Sequence, residues 1–166
     1  MRENSPRSHL RLHRDRQIAE VVHDPYFSHD KPEGTLICPQ CNLIYRNGRW
    51  RRVAQRPMEA RSHPCPACHR ISDQLPAGFV TLSGKYVAAH RSELLKLAEN
   101  EASRAASRHP LQRIMGIEDR DAVITVTTTD VHLARRIGEA LHHAHQGTLE
   151  IKYSPDQYLV RVDWVR

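Results

Sequence analysis

Two C-P-x-C pairs, Cys38-Pro39-Gln40-Cys41 and Cys65-Pro66-Ala67-Cys68, constrain this chain more than any other feature. They are 23 residues apart and use all 4 cysteines of the sequence. Two residues between paired cysteines let both thiolates of a tight knuckle point at one ion, and two knuckles complete a tetrahedral site. The spacing predicts one structural Zn2+ held by Cys38, Cys41, Cys65 and Cys68. Disulfides need an oxidising compartment, and the opening residues MRENSPRSHLRLHRDR lack the apolar centre of a secretory signal. A redox pair would want a thioredoxin-like context, which is missing. An iron–sulfur centre stays open as an alternative, as do His63 and His69 as substitute ligands beside the second knuckle. A closed four-thiolate site keeps no position for substrate or water, so its expected role is structural.

A chain of 166 residues with 39% apolar and 5% aromatic side chains builds only a modest core, and metal binding supplies folding free energy that such a core lacks. No apolar run approaches the roughly 18–20 residues of a membrane span, so a cytoplasmic protein is expected. The net charge of +6 is concentrated: residues 1–70 hold 13 Lys/Arg against 7 Asp/Glu, and residues 71–166 balance at 12 and 12. A basic first part suggests a polyanionic partner, nucleic acid before others.

The pattern divides the chain into a basic flexible arm (1–23), a zinc ribbon (24–72), a connector (73–86) and an α+β domain (87–166). In the arm, Gln17 to His23 reads as a helical turn or two, stopped by Asp24-Pro25. Leu94, Ala98, Ala102 and Ala105 form an apolar stripe on a helix from about Val87 to Ser107, and Leu111 to Ile117 reads as a further turn. Ala122 to Thr127 is β-branched and reads as a strand. Thr128, Thr129 or Asp130 supplies an N-cap for a helix carrying Leu133, Ile137, Ala140, Leu141 and Ala144, and Gly147 suits its C-terminal end. Thr148 to Tyr153 and Tyr158 to Trp164 alternate as strands around a turn at Ser154-Pro155-Asp156. The predicted fold class is therefore α+β: a four-cysteine zinc ribbon followed by a compact helix-strand-helix-strand-strand domain.

Between the knuckles the chain reads NLIYRNGRWRR, with Asn47-Gly48 as a hairpin turn. The hairpin and the segment leading to the second knuckle carry Tyr45, Arg46, Arg49, Trp50, Arg51, Arg52, Arg56 and Arg61. Guanidinium groups pair with phosphates in a forked geometry, and aromatic rings offer stacking faces to unpaired bases. These eight residues are the expected RNA contacts, although packing of Tyr45 and Trp50 on the knuckles is an equally physical use of the rings. Gly78 to Tyr86 looks like a phosphate loop, but five residues separate Gly78 from Gly84, and Tyr86 stands where a Ser or Thr would hold magnesium. His132, His142, His143 and His145 read as a solvated helix face. No nucleophile–base–acid set stands out, so neither an enzyme nor a small-molecule substrate is expected.

On these residues the chain resembles a small bacterial family related to the zinc-binding N-terminal region of the Nmd-three large-ribosomal-subunit export adaptor. The likeness runs over roughly residues 24–166. It rests on the two cysteine pairs, on Tyr45-Arg-Asn-Gly-Arg-Trp50, on Thr127-Thr-Thr-Asp-Val-His-Leu-Ala-Arg-Arg136 and on Val160-Arg-Val-Asp-Trp164. The adaptor's family binds the large subunit around tRNA sites and has two zinc sites, whereas four cysteines make only one. The resemblance implies binding to the ribosome or structured RNA, with ribosomal proteins as neighbours, and action by occupying an rRNA or tRNA-site surface in stress protection, hibernation or assembly. The alternatives are a protein–protein adaptor with a structural zinc ribbon, and a DNA-binding, transcription-linked ribbon.

Overall fold

The structure is a computed structural model, and it describes residues 24–27 and 32–166. The arm at 1–23, with the helical turn expected at Gln17–His23, lies outside the described residues.

The ribbon is built from very short strands. β1 (Leu36–Ile37), β2 (Ile44–Arg46), β3 (Arg49–Arg51) and β4 (Arg61–Ser62) form one sheet in the order β3-β2-β1-β4. Asn47 and Gly48 take φ of 53° and 77°, the left-handed pair that lets a two-residue loop close β2 on β3 in register Arg46↔Arg49. The second knuckle opens a short helix, α1 (Pro66–Ser72), which starts on a proline.

The rest of the chain forms a five-stranded sheet covered by helices. Its elements are β5 (Gly78–Ser83), α2 (Lys85–Arg108), β6 (Ile114–Arg120), β7 (Val123–Thr128), α3 (Val131–His145), β8 (Thr148–Tyr153) and β9 (Val160–Val165). The strand order is β6-β7-β5-β9-β8, with β5 and β9 parallel and the other neighbours antiparallel. The α+β class of the sequence reading stands, but two strands join it. Gly78–Ser83, read as connector, is the central strand, because its alternation puts Val80 and Leu82 on the core face. Leu111 to Ile117 reads as a turn in the sequence, but its second half opens β6, Ile114–Arg120, an edge strand with mostly exposed side chains, so no burial pattern marks it. The order is thus strand-helix-strand-strand-helix-strand-strand.

The core lies on one face of this sheet. Val80, Leu82, Ile124, Val126, Val160, Val162 and Trp164 meet Leu133, Ile137 and Leu141 of α3, all at 0–1% exposure. Each such burial stabilises by about 1.5–3 kcal/mol relative to exposure. Asp130 caps α3, its Oδ1 accepting from the amides of His132 and Leu133 at 2.9 and 3.1 Å. In α2 the buried stripe is Val87, Leu94, Ala98 and Ala105. Gly84 has φ of 104°, and a Cβ there would collide with the backbone of Arg166. The Arg166 carbonyl accepts from the Tyr86 amide at 3.0 Å, so the start of α2 is covered by the chain's own backbone where a phosphate loop needs free amides.

A largely buried charge pair within the ribbon lies against the sheet domain. Arg70 on α1 pairs with Asp24, donates to the Leu75 carbonyl at 3.0 Å, and lies 4.4 Å from the ring centroid of Tyr26 and 5.8 Å from that of Tyr158. The Tyr26 hydroxyl donates to Asp73 at 2.8 Å. Among the described residues no helix is long and apolar enough to cross a membrane.

Candidate metal centre and adjoining surfaces

Each knuckle is shaped by backbone hydrogen bonds before any ion is considered. In the first, the Cys38 amide donates to the Leu43 carbonyl at 2.8 Å and the Asn42 amide to the Cys38 carbonyl at 2.9 Å, with Asn42 left-handed at φ 59°. In the second, Cys65 sits at the N-cap of α1, and its sulfur accepts from the Cys68 amide at 3.4 Å. Pro39 and Pro66 stiffen the two loops. The four Sγ atoms lie within 4.8 Å of one another, and none is in a disulfide. A tetrahedron with Zn–S near ~2.3 Å has edges of about 3.8 Å. Cys41 Sγ and Cys65 Sγ are 3.6 Å apart.

The electrostatics call for a cation. Burial pushes the Cys65 thiol up, and the charges of Cys41, Cys68 and Cys38 add to this. Burial raises Cys68 as well, against a hydrogen bond from Arg113. Cys38 is buried too, but amides of Cys65, Cys41 and Gln40 outweigh that and hold it down at about 7. Four thiolates do not ionise together in this space without a central positive ion. Four soft sulfur donors with no oxygen donor suit a thiophilic ion, and the residues present fit one structural Zn2+. His63 and His69 are exposed and do not join the cluster; His69 instead faces Asp73 at 3.5 Å.

One further side chain reaches the sulfurs, and it comes from the other part of the fold. Arg113, just before β6, donates from Nη1 to Cys68 Sγ at 3.4 Å and from Nη2 to Cys41 Sγ at 3.4 Å and Cys65 Sγ at 3.3 Å. It is held in place: its Nε donates to the Pro110 carbonyl at 2.9 Å and its amide to Thr129 Oγ1 at 2.9 Å. Burial opposes its charge, but the hydrogen bonds to Cys68 and Cys41 outweigh this and raise its pKa. A zinc ion with four thiolates carries a net charge of about −2, which Arg113 halves. Nothing in the sequence singles out Arg113, because it lies 45 residues from the nearest cysteine it touches.

The hairpin register separates the residues expected to contact RNA. Tyr45 pairs with Trp50, while Ile44 pairs with Arg51 and Arg46 with Arg49. Side chains alternate between sheet faces, so Arg46, Arg49 and Arg51 share one face and the two aromatics the other. Arg46, Arg49, Arg51, Arg52 and Arg56 are exposed, and among the described residues none is paired with a carboxylate. Arg61 is exposed too, but its Nη2 donates to the Glu33 carbonyl at 2.6 Å. Tyr45 is only 7% exposed, so its ring has no free face for stacking. Trp50 is half-buried, packs against the cysteine cluster, and lies 5.4 Å from Tyr45 between ring centroids.

The aromatic face of the hairpin looks into a groove of about 740 Å³ between ribbon and sheet domain. Its walls include Tyr26, Trp50, Arg49, Arg108, His109 and Gln112. Of these, only Arg49 and Trp50 were legible as functional residues, since the rest meet across the junction. On α3, His132, His142 and His143 are exposed, whereas His145 is buried and shares a 3.1 Å hydrogen bond with the Tyr86 hydroxyl. No protein-family model, curated protein or solved structure matches the chain.

Proposed function

We propose that this chain is a zinc-stabilised, ribosome-associated RNA-binding factor of the cytoplasm that acts by occupying an rRNA or tRNA-site surface. The observation that carries the reading is the arginine face of the ribbon. Arg46, Arg49 and Arg51 project from one side of a two-residue-turn hairpin, with Arg52 and Arg56 beyond it, all exposed and free of carboxylate partners among the described residues. Unneutralised guanidinium groups on a short-turn hairpin meet phosphate with no ion pair to break, and the fixed hairpin backbone leaves little loop ordering to oppose binding. The ribosome as the source of that phosphate backbone rests on the resemblance of the cysteine pairs and of Tyr45–Trp50 to the adaptor-related family. Protection of idle ribosomes and subunit assembly are the roles this occupancy serves.

The test is sedimentation of the tagged protein through sucrose gradients from growing and starved cells, at low and high salt. Co-migration with a subunit or whole ribosomes, released by salt, is the expected result. Four phosphate contacts give a log–log salt slope of about −3 on a single strand. Arg46→Glu with Arg51→Glu should abolish co-migration while the zinc content stays intact. Migration at the top of the gradient under every condition removes the ribosome from the reading. Salt-insensitive co-migration removes the arginine face and points to a protein contact instead.

A further inference from the structure

We propose that the groove between the ribbon and the sheet domain is a pocket for one unpaired nucleotide of a bound RNA strand; this rests on the RNA-binding reading above. At about 740 Å³ the groove falls within the size range of small-ligand pockets. Half-buried Trp50 lies on one wall, and Tyr26 also lines the groove, so an inserted base meets an aromatic surface.

The charge of the groove suits a nucleotide. Arg49 and Arg108 line it, and among the described residues neither is paired with a carboxylate. The one carboxylate in the lining, Asp130, is already engaged: it accepts from the His132 and Leu133 amides and, at 3.2 Å, from the Tyr158 hydroxyl. Arg49 also belongs to the arginine face, opposite Arg46 at the hairpin turn. A strand held by its phosphates along that face is therefore continuous with the groove rim.

Gln112 points to a ligand independently. It forms part of the groove wall and is 9% exposed, yet its Oε1 is buried without a hydrogen-bond partner among the described residues. A buried amide oxygen left without a donor is unfavourable. The terminal torsion of glutamine is soft. A turn about it presents an acceptor beside a donor, the pattern that pairs with the edge of a base. Gln112 directly precedes Arg113, whose three contacts with the cysteine sulfurs hold the ribbon against this wall. The groove wall is thus tied to the cysteine cluster.

The experiment uses the full zinc-loaded chain and single-stranded RNA decamers, oligo(A) and oligo(U), at low salt. Of the two tryptophans, Trp164 is fully buried, so a change in tryptophan emission on binding reports Trp50. Saturable quenching is expected, together with an about five-fold weaker affinity in Gln112→Leu, which keeps the side-chain volume and removes the amide. Zinc content and thermal midpoint of that variant check its fold, and Gln112→Glu serves as a second substitution at the same wall. RNA binding with unchanged emission, or with equal affinity in the folded variants, overturns the pocket and leaves the arginine face standing. Absence of binding by both decamers overturns the pocket, while co-migration with ribosomes in the gradient decides the arginine face separately.

Discussion

Arg113 Nη2 lies 3.3 Å from Cys65 Sγ, and through this contact the sheet domain holds the metal centre of the ribbon. The same guanidinium reaches Cys41 and Cys68, so one side chain spans three of the four sulfurs. Partners of this kind orient metal ligands and tune their charge. Arg113→Ala is therefore expected to weaken zinc retention by about 10- to 100-fold, measured by competition with a chromogenic chelator. Arg113→Lys, with one compact charge instead of a fork, should recover only part of the loss. Equal retention in all three proteins would remove the coupling.

Zinc removal should unfold the ribbon and spare the sheet domain. The buried apolar set around the cysteines is small, with Leu43 and Ala67 at its centre, whereas the core under the five-stranded sheet contains no cysteine. Chelation is expected to erase amide protection at β2 and β3 while β5, β7 and β9 stay protected in hydrogen exchange. Acidification should act the same way, because protons compete with the metal for each thiolate.

Arg70 and Asp24 form an ion pair whose side chains are 5% and 15% exposed. Removing one partner strands the other away from water. Arg70→Met is expected to destabilise the protein by about 3 kcal/mol in urea unfolding, and Arg70→Met combined with Asp24→Leu should regain most of that loss. Additive losses in the double variant would show that the pairing is not the source of the effect.

Gly138 on α3 faces Val162 of β9, and a Cβ there would collide with Val162 Cγ1. Gly138→Ala raises helix propensity but forces the helix away from the sheet. The packing penalty should dominate, with a loss of about 1–3 kcal/mol in thermal or urea unfolding. A stabilised variant would mean that the helix moves freely on its sheet.

The features legible in the chain alone are those set by local physics. The C-P-x-C spacing specifies a four-thiolate site because ligand geometry is decided within each knuckle. Asn47-Gly48 closes its hairpin and Asp130 caps its helix because each acts on backbone within a few residues. The alternation of Ile124, Val126, Val160, Val162 and Trp164 marks strands with one buried face. The same alternation runs through Val80 and Leu82, but Gly78 and Gly84 bound it and mask a central strand as a loop. β6 shows no alternation, because an edge strand with exposed side chains is specified by its partner β7. Tertiary packing was needed to bury Tyr45, to turn Trp50 towards a groove, to set Gln112 in its wall and to bring Arg113 to the sulfurs. These placements depend on how a metal-locked ribbon docks on a separate sheet, and contacts across that distance leave no periodic signal in the chain.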